Sequence, residues 1–377
     1  MIVDNKHQPR YLDCGLSSLS EQLQRALVGM RPDWFASWEF AFYFCFPSAQ
    51  RVWIREDHDG VLRHAFYYSE HPHFLGKRLT AFGPVELDMD EVHEILRLRN
   101  AACLSILCTS AANLKHSGIL KGATRALYGE DIVVDMPSTV DQLLASLGTN
   151  KRQQLRKYTR RLERQWPGGV EWICLAKDEI TRDLFGTVLA LNSQRQSAKG
   201  KHTLWNDAMA EQRWQLASRA GLLCGIRIGH ELVAGGVAYL YGQDGYFSLI
   251  GHNPSYDYWN LGNLTTWLMM QNAVNRGVRR FHFLWGISEY KFRFGGRTEP
   301  LYTVTVYRNG YTRLVASAAD FPRTCAKLLL NAAQKGRIAA RNTGVGQQIY
   351  HLLRRSRAAP QNRCPDGQDS FREGSGS

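Results

Sequence analysis

The segment at residues 246–284 has the residue types and spacing of a site for a phosphate-bearing ligand. Its pattern predicts a strand, an irregular loop, a helix at about 263–276 and a further strand. A helix that begins directly after a central strand presents free backbone N–H groups and the positive end of its dipole, which suit a pyrophosphate. Gly262 would let a ligand approach the backbone, and Asn263 could cap the helix. Many helices follow strands without binding anything, so a purely structural interpretation stays open.

Predicted strands on both sides of this helix place it on a largely antiparallel sheet. Tight turns at Gly229-His230 and at residues 242–245 separate the three apolar strands that lead into it. The chain from 137 to 320 therefore predicts one α/β unit. Its strands are expected at 170–175, 222–228, 232–241, 246–252, 279–284 and 302–307, and its other helices at 181–194 and 207–220.

Residues 1–136 predict a smaller α/β unit of ordinary domain size. Asp59-Gly60 is a turn signal between two apolar runs and predicts a hairpin. The expected elements are helices at 16–30 and 88–98 and strands at 51–55, 61–68, 79–82 and 103–108. After the second unit we expect a helical segment at 321–357, with its helix at 328–340, and a disordered tail at 358–377.

A basic helix opens the second unit. Ser138, with Asp141 three residues later, is typical of a helix start, and Gly148 is expected to break the helical region that follows. Residues 151–164 hold seven basic residues and one acid, a net charge of +6, and residues 321–377 carry a net +7. Together they account for the +13 of the whole chain, so the remainder is neutral. This excludes a protein that coats nucleic acid with a uniformly basic surface.

One long motif resembles the GNAT acetyltransferases of the CelD/BcsL type, which are linked to cellulose and exopolysaccharide production. It reads IGHNPSYDYWNLGNLTTWLMMQNAVNRGVRRFHFLWGISEYKFRFGG, and KRQQLRKYTRRLER is similar to the Arg-rich opening helix of that family. The resemblance covers about residues 140–308, and residues 20–136 resemble the degenerate first half of a doubled GNAT fold. The doubled architecture also resembles the Fem-type peptidyltransferases. The resemblance implies an α/β (α+β) fold of tandem GNAT-like domains, a degenerate one at 1–136 and an acyltransferase domain at 137–320.

The activity that the resemblance implies is transfer of an acyl group from acyl-CoA, with acetyl-CoA as the expected donor, to an amino sugar or similar precursor of a surface polysaccharide. The reaction needs a neutral amine, a polarised thioester carbonyl and a proton for the leaving thiolate. By resemblance, a backbone N–H within 247–252 would polarise the carbonyl, Tyr290 would protonate the thiolate, and Lys291 would stabilise negative charge or hold a phosphate. The expected cofactor-binding residues are Asn260, Gly262, Asn263 and Leu264.

Two histidines are candidates in this motif. His252, at the end of the predicted central strand, is the best candidate for a general base because histidine titrates near neutrality. His282 stands where the family has an acid on its late strand, so the role of that acid is in doubt here. His282 and Glu289 are both substrate-binding candidates. Structural roles stay open for both histidines. Asp257 is a further weak candidate, and residues 260–262 keep only the glycine of the family's small-Pro-Gly step.

Acceptor-binding residues are expected near the end of the 181–194 helix and on aromatic platforms. That region commonly covers the acceptor in GNAT proteins, which this chain resembles, although it also suits a solvated loop. The candidates are Asn192, Gln194, Arg195 and Lys199, with Trp205, Trp259 and Trp285 as flat faces for sugar rings or as core residues.

The basic helix has three interpretations, and Arg156 is its binding candidate. It is a solvated helix face, or a surface for an anionic substrate such as a nucleotide sugar, an acyl carrier protein or an acidic glycan, or a tRNA site. DNA is not expected. Two other functions therefore stay open: a Fem-like transferase that uses aminoacyl-tRNA, and a degenerate, non-catalytic GNAT module in a polysaccharide assembly.

The cysteine pattern and the hydropathy favour a cytoplasmic location. The eight cysteines form no CxxC pair and several lie in apolar runs, which is typical of reduced core thiols. Clustered Cys and His at ligand spacing are missing from the sequence, so no metal site is expected. The sequence contains no apolar stretch of membrane-spanning length and no apolar core of a signal peptide near residue 1.

Overall fold

Twelve strands of the described residues form one mixed sheet. The computed structural model describes residues 10–27, 35, 37, 39–44, 50–57, 59, 61–83, 89–111, 114, 123–200, 205–316 and 318. The strands are β1 (Arg10–Gly15), β2 (Gln50–Glu56), β3 (Leu62–His73), β4 (Gly76–Phe82), β5 (Ala101–Ser110), β6 (Thr124–Asp135), β7 (Val170–Ala176), β8 (Gly221–Ile228), β9 (Glu231–Tyr241), β10 (Asp244–His252), β11 (Arg280–Trp285) and β12 (Arg297–Tyr307). Their order is β1-β2-β3-β4-β5-β12-β6-β11-β10-β9-β8-β7.

Helices flank this sheet. They are α1 (Glu21–Leu27), α2 (Met89–Leu98), α3 (Val140–Ser146), α4 (Thr149–Gln165), α5 (Arg182–Ser197), α6 (Asp207–Ala220), α7 (Leu261–Asn275) and α8 (Glu289–Arg293). Short 3-10 turns lie at Leu16–Ser18, Lys177–Glu179 and Pro254–Trp259, and a π-helical turn lies at Phe40–Phe44. Among the described residues, no helix is both long and apolar enough to span a membrane.

The two halves of the sheet repeat one arrangement. In each, antiparallel strands are followed by a helix that crosses to a parallel strand: β4, α2 and β5 in the first half, and β10, α7 and β11 in the second. The halves interleave at the centre, where β12 lies between β5 and β6, and β6 pairs with β11. The predicted boundary at 136 therefore falls in the chain after β6, although β6 lies inside the shared sheet.

Apolar cores cover both faces of the second half of the sheet. Phe281 and Phe283 of β11 lie in the core under α7, whereas Tyr239 and Tyr246 lie in the core under α5 and α6. Because successive side chains of a strand point to opposite faces, His282 lies on the α5 face. It stacks there on the Tyr246 ring, with 4.6 Å between ring centroids.

The basic helix α4 forms as its apolar spacing predicts. Leu155 and Leu162 are buried, and Tyr158 and Trp166 pack partly buried against the same core. The break near Gly148 is also confirmed, because α3 ends at Ser146 and α4 begins at Thr149. The helix start at Ser138 is shifted by one residue. Thr139 is the N-cap of α3, and its hydroxyl accepts the Gln142 N–H at 3.2 Å.

Three elements were not predicted: β1, β6 and α8. β6 carries Gly129, Glu130 and Asp131 at its middle, and such polar residues do not alternate as a half-buried strand should. Burial of the Asp131 carboxylate is possible because His282 of β11 pairs with it. The sequence pattern therefore missed a central strand whose charge is balanced by a residue 151 positions away. The predicted helical segment at 321–357 and the tail at 358–377 lie outside the described residues.

Gly251 of β10 lets helix α5 approach the sheet. A Cβ at Gly251 would lie 2.2 Å from the backbone nitrogen of Asn192 in α5. We therefore expect Gly251→Ala to lower the free energy of unfolding by about 1–3 kcal/mol, the usual cost of overpacking, in urea denaturation. Gly129→Ala in β6, where a Cβ meets nothing within 4 Å, is the control. Equal losses in the two variants would contradict this close approach.

Candidate active site

The strands β10 and β11 separate after a short parallel pairing, and the separation opens the site. They pair only over Asp244–Tyr246 and Arg280–His282. Beyond this point β10 continues along β9 as far as His252, while β11 continues along β6. No strand of the described part of the chain lies in the gap between β10 and β11.

The backbone groups of two β10 residues point into this gap. The Asn253 N–H donates to the Val233 carbonyl of β9 at 2.9 Å, and hydrogen-bonded pairs alternate along an antiparallel ladder. Ile250 and His252 therefore turn their N–H and C=O groups away from β9. In agreement, the Ile250 carbonyl accepts the Asn192 side-chain amide at 2.7 Å. The gap thus presents backbone donors on one strand.

The N-terminus of α7 closes one end of the gap. Asn260 precedes the helix in the left-handed conformation, with φ +56°, and its side chain does not cap the helix. Its carbonyl already accepts the N–H groups of Asn263 and Leu264. The N–H groups of Leu261 and Gly262 belong to the first turn, which has no intrahelical acceptors for them. The helix start therefore presents donors and a positive dipole end to the cleft.

The cleft at this point has a volume of about 240 Å³. It brings together eight of the candidate residues named from the sequence, which are Arg195, Lys199, His252, Asp257, Asn260, Gly262, Asn263 and Tyr290. Its other lining residues are Ile250, Leu261 and Thr266. Elements distant in sequence meet here: the end of α5, the end of β10, the start of α7 and the start of α8.

His252 forms a dyad with Asp257. The His252 Nε2 atom lies 2.6 Å from Asp257 Oδ1. A carboxylate accepts, so Nε2 carries the proton and Nδ1 of the neutral ring is the free acceptor. Nδ1 is buried without a hydrogen-bond partner among the described residues, and a Cβ at Gly262 would lie 3.7 Å from it. The basic nitrogen therefore faces the α7 N-terminus.

Charge and burial keep this imidazole neutral. Burial lowers the pKa of His252, the Asp257 hydrogen bond raises it in part, and the nearby cations Arg195 and Lys199 lower it further. A histidine with a lowered pKa is unprotonated at neutral pH and can accept a proton. Tyr290 has the complementary property, because burial raises its pKa against the opposing effect of Arg195. Tyr290 therefore keeps its proton at neutral pH and can donate it.

Lys291 does not have the role predicted for it, because its ammonium group points into the protein. It is buried, and its Nζ donates to the carbonyl oxygens of Phe283 at 2.9 Å, Leu284 at 3.1 Å and Gly286 at 2.8 Å. Leu284 has a left-handed backbone with φ +56°, so these bonds hold an unusual turn at the end of β11. Burial lowers the pKa of Lys291 to about 8. Lys291 thus positions the turn that leads to Tyr290.

His282 also lies outside the cleft, which corrects its predicted substrate-binding role. Its Nδ1 donates to Asp131 Oδ2 at 2.6 Å, and its Nε2 lies 3.7 Å from Asp244 Oδ2. Burial alone would lower the pKa of His282, but the hydrogen bonds and charges of the two aspartates outweigh it and raise the pKa to about 9. His282 is therefore a buried imidazolium that ties β11 to β6.

Four other predicted residues do not line the cleft. Leu264 is buried in the core under α7. Glu289 forms an ion pair with Arg293 of its own helix. Arg156 is exposed on α4, and Trp259 lines a second groove, described below.

Of the remaining acceptor candidates, only Lys199 lines the cleft in addition to Arg195. Asn192 is buried, and its side-chain amide donates to the Ile250 carbonyl oxygen. Trp205 Nε1 in turn donates to Asn192 Oδ1 at 3.4 Å. Nothing is described of the Trp285 side chain. The described residues contain no cluster of three or more His, Cys, Asp or Glu that could hold a metal ion.

Lys151 is a residue of this region that the sequence reasoning missed. It is buried at the start of α4, donates to Asn263 Oδ1 at 2.5 Å and lies 3.7 Å from the centroid of the Phe294 ring. Burial and, to a smaller extent, the charge of Arg293 together lower its pKa to about 7. Its position four residues before Leu155 places it on the buried stripe of α4, and this spacing was the available signal.

Comparison with known proteins identifies the domain that carries this cleft. Residues 149–292 match the model of the acetyltransferase (GNAT) domain. The match runs from the start of α4 to the middle of α8 and so includes every residue that lines the cleft. No curated protein matches the chain.

Solved structures show the fold of the whole described body. The crystal structure of FemX aligns with a TM-score of 0.61 at 11% identity, covering 81% of this chain and 99% of that one. The structure of L-PGS from Bacillus licheniformis aligns with a TM-score of 0.54 at 12% identity, covering 79% of this chain and 94% of that one. A tandem GNAT protein from the clavulanic acid biosynthesis pathway aligns with a TM-score of 0.44 at 10% identity, covering 80% of this chain and 99% of that one. The first two alignments, with the domain match at residues 149–292, confirm the predicted GNAT-like α/β fold.

The dyad can be tested by titration. Because the Asp257 contact raises the pKa of His252 against the effect of burial, Asp257→Asn should lower that pKa further. NMR titration of the His252 ring protons measures it. Asp178→Asn, at an exposed position outside the cleft, should leave the titration unchanged. A rise in the pKa of His252 in Asp257→Asn would contradict the dyad.

The buried imidazolium should appear in the pH dependence of stability. The folded pKa of His282, about 9, is raised above the ordinary 6.5, so its contribution is complete below pH 6.5 and lost as the pH rises through 9. Between pH 7 and 9.5 the free energy of unfolding of the wild type should therefore fall by about 2–3 kcal/mol more than that of His282→Gln. Urea denaturation at each pH measures this difference. Parallel curves for the two proteins would contradict it.

Proposed function

We propose that this chain is an N-acyltransferase that transfers an acyl group, with acetyl as the expected one, from acyl-CoA to an amine. The observation that carries the proposal is the convergence of three features at one cleft. These are the buried Nδ1 of His252, the outward backbone groups of β10 and the uncapped N-terminus of α7.

The start of α7 fits the pyrophosphate of a CoA donor. Its uncapped N–H groups and dipole favour an anion, and Gly262 leaves space that a side chain would fill. When bound, acyl-CoA supplies the acyl group as an activated thioester. Arg195 and Lys199, on the opposite side of the cleft, add positive charge.

The side chains and backbone of the cleft have distinct roles in this proposal. The N–H groups of Ile250 and His252 point into the gap and would stabilise negative charge that develops on the acyl oxygen. Nδ1 of His252 would accept the proton of the attacking amine, while Asp257 stabilises the imidazolium that forms. Tyr290 would donate its proton to the leaving sulfur. All four groups come from residues that line the cleft.

The acceptor in this proposal is an amino sugar or a similar amine from surface polysaccharide biosynthesis. This class comes from the sequence resemblance to the CelD/BcsL type, and a cytoplasmic location goes with it because acyl-CoA is an intracellular donor. Arg195 and Lys199 would favour an acceptor that carries negative charge, since both cations face the cleft.

The proposal is tested by measuring acetyl transfer and donor binding in separate variants. His252→Gln should lower kcat/KM by about 10²–10⁴-fold in an assay of thiol release from acetyl-CoA with glucosamine as the first acceptor, and it should still bind acetyl-CoA. Gly262→Val should lose acetyl-CoA binding measured by calorimetry, because its side chain enters the anion site. Gly262→Val should not lower the melting temperature much, since a Cβ at Gly262 meets nothing nearer than 3.7 Å.

Gly186→Val is the matched control for the glycine variant. Gly186 lies in α5, where a Cβ meets nothing within 4 Å, and it does not line the cleft. It should bind acetyl-CoA as the wild type does. A wild type that binds no acyl-CoA would refute the proposal and leave the non-catalytic module as the better account.

A second candidate is aminoacyl transfer from a charged tRNA, which the resemblance to Fem-type peptidyltransferases implies. The observation that favours it is a basic groove beside the cleft, lined by α4 and the turn at Pro254–Trp259, which contains the exposed ring of Tyr258. Transfer from an aminoacyl-tRNA in place of acetyl-CoA, in the same His252-dependent assay, would support this candidate.

A further inference from the structure

A second groove lies between α4 and the 3-10 turn that precedes α7. Its volume is about 830 Å³, and we call it the basic groove. It is lined by Lys157, Arg160, Arg161, Arg164, Gln165, Tyr258 and Trp259. Trp259 is followed in the chain by Asn260, which lines the cleft. The basic groove and the cleft are therefore neighbours that share one short stretch of backbone.

Four cations face the basic groove because of their spacing. Residues 157, 160, 161 and 164 recur at three and four positions and so share one face of α4. Glu163, the acid of this helix, does not line the groove. Within the described residues, none of these four cations forms a salt bridge with a carboxylate. Among the described residues, the groove thus concentrates positive charge that no carboxylate neutralises.

Aromatic rings stand beside these cations. The Arg161 guanidinium lies 3.5 Å from the centroid of the Tyr258 ring and 5.1 Å from that of Trp259. Tyr258 is 63% exposed, so its ring is accessible from solvent. Trp259 is held in place by Trp166, with 4.9 Å between ring centroids. A stacked guanidinium still presents N–H groups at its edge, which suit a phosphate.

We infer that the basic groove binds a phosphorylated nucleoside. The base would stack on the exposed face of Tyr258, and the phosphates would contact Arg161 and the neighbouring cations of α4. Flat unsaturated rings stack on aromatic side chains, and arginines bind phosphate oxygens bidentately. Charge alone would also attract an acidic glycan, but such a ligand has no base for Tyr258 to stack on.

The role of this ligand rests on the proposed function, whereas its binding does not. Because the groove adjoins the cleft, its ligand would be the nucleotide end of the donor whose acyl group reaches His252. Two donors share this chemistry. One is an acyl-CoA, which ends in a phosphorylated adenosine, and the other is an aminoacyl-tRNA, whose single-stranded RNA end carries the aminoacyl group. The groove thus gives the donor a second anchor, separate from the α7 N-terminus.

The experiment titrates the full chain with adenosine 3′,5′-bisphosphate and, in a second arm, with a short single-stranded RNA. Arg161→Ala and Tyr258→Ala should each weaken binding by about tenfold or more. Tyr258→Phe keeps the ring and should retain the affinity. Arg156→Ala removes the same charge from the same helix outside the groove and should change the affinity less than twofold. The arm with the higher affinity identifies the source of the nucleotide.

Two results would overturn the inference. One is unchanged affinity in Tyr258→Ala together with equal losses in Arg161→Ala and Arg156→Ala, which would show only a diffuse attraction of charge. The other is equal binding of an acidic oligosaccharide that carries no base. Gly262→Val separates this inference from the proposed function, because it should abolish acetyl transfer and still bind the bisphosphate. Bisphosphate binding in a wild type that transfers no acetyl group would refute the proposed function alone.

Discussion

The separation of β10 from β11 is the constraint on which the rest of the site depends. Two paired parallel strands would satisfy each other's backbone groups and leave no donors for a ligand. Here the pairing ends after Tyr246, and specific contacts hold each strand apart. The side-chain amide of Asn192 donates to the Ile250 carbonyl oxygen, and Gly251 lets α5 pack against β10 at that point. On the other side, the His282–Asp131 pair keeps β11 on β6. The gap is therefore stabilised by buried polar contacts that replace a ladder of sheet hydrogen bonds.

These contacts also explain why the two halves of the chain form one sheet. The partner of His282 lies on β6, a strand of the first half, and β12 of the second half lies between β5 and β6. The halves cannot be separated without exposing this pair and breaking three strand pairings, which are β5–β12, β12–β6 and β6–β11. The first half supplies the carboxylate that fixes β11. Lys291 then holds the turn after β11 and so sets the direction of Tyr290.

The sequence predicted the elements of the second half well, because their apolar periods and turn residues agree with the fold. It also predicted residues that line the cleft where the backbone determines their position, as at Gly262 and at His252. It failed where the direction of one long or alternating side chain decides. The sequence predicts Lys291 and Tyr290 as a functional pair, yet neighbouring helix residues point to different sides. His282 faces the other side of the sheet, and its partner Asp131 lies on a strand that the pattern did not predict.

The most direct test of this account is amide hydrogen exchange of the full chain with and without acetyl-CoA. If the gap and the α7 N-terminus form the donor site, acetyl-CoA should slow exchange in peptides that contain Ile250–His252 and Leu261–Gly262. Exchange in the β2–β3 hairpin, which lies at the far side of the sheet, should not change. Saturating acetyl-CoA that leaves exchange at β10 and α7 unaltered, or that slows it only in the first half, would contradict the central claim.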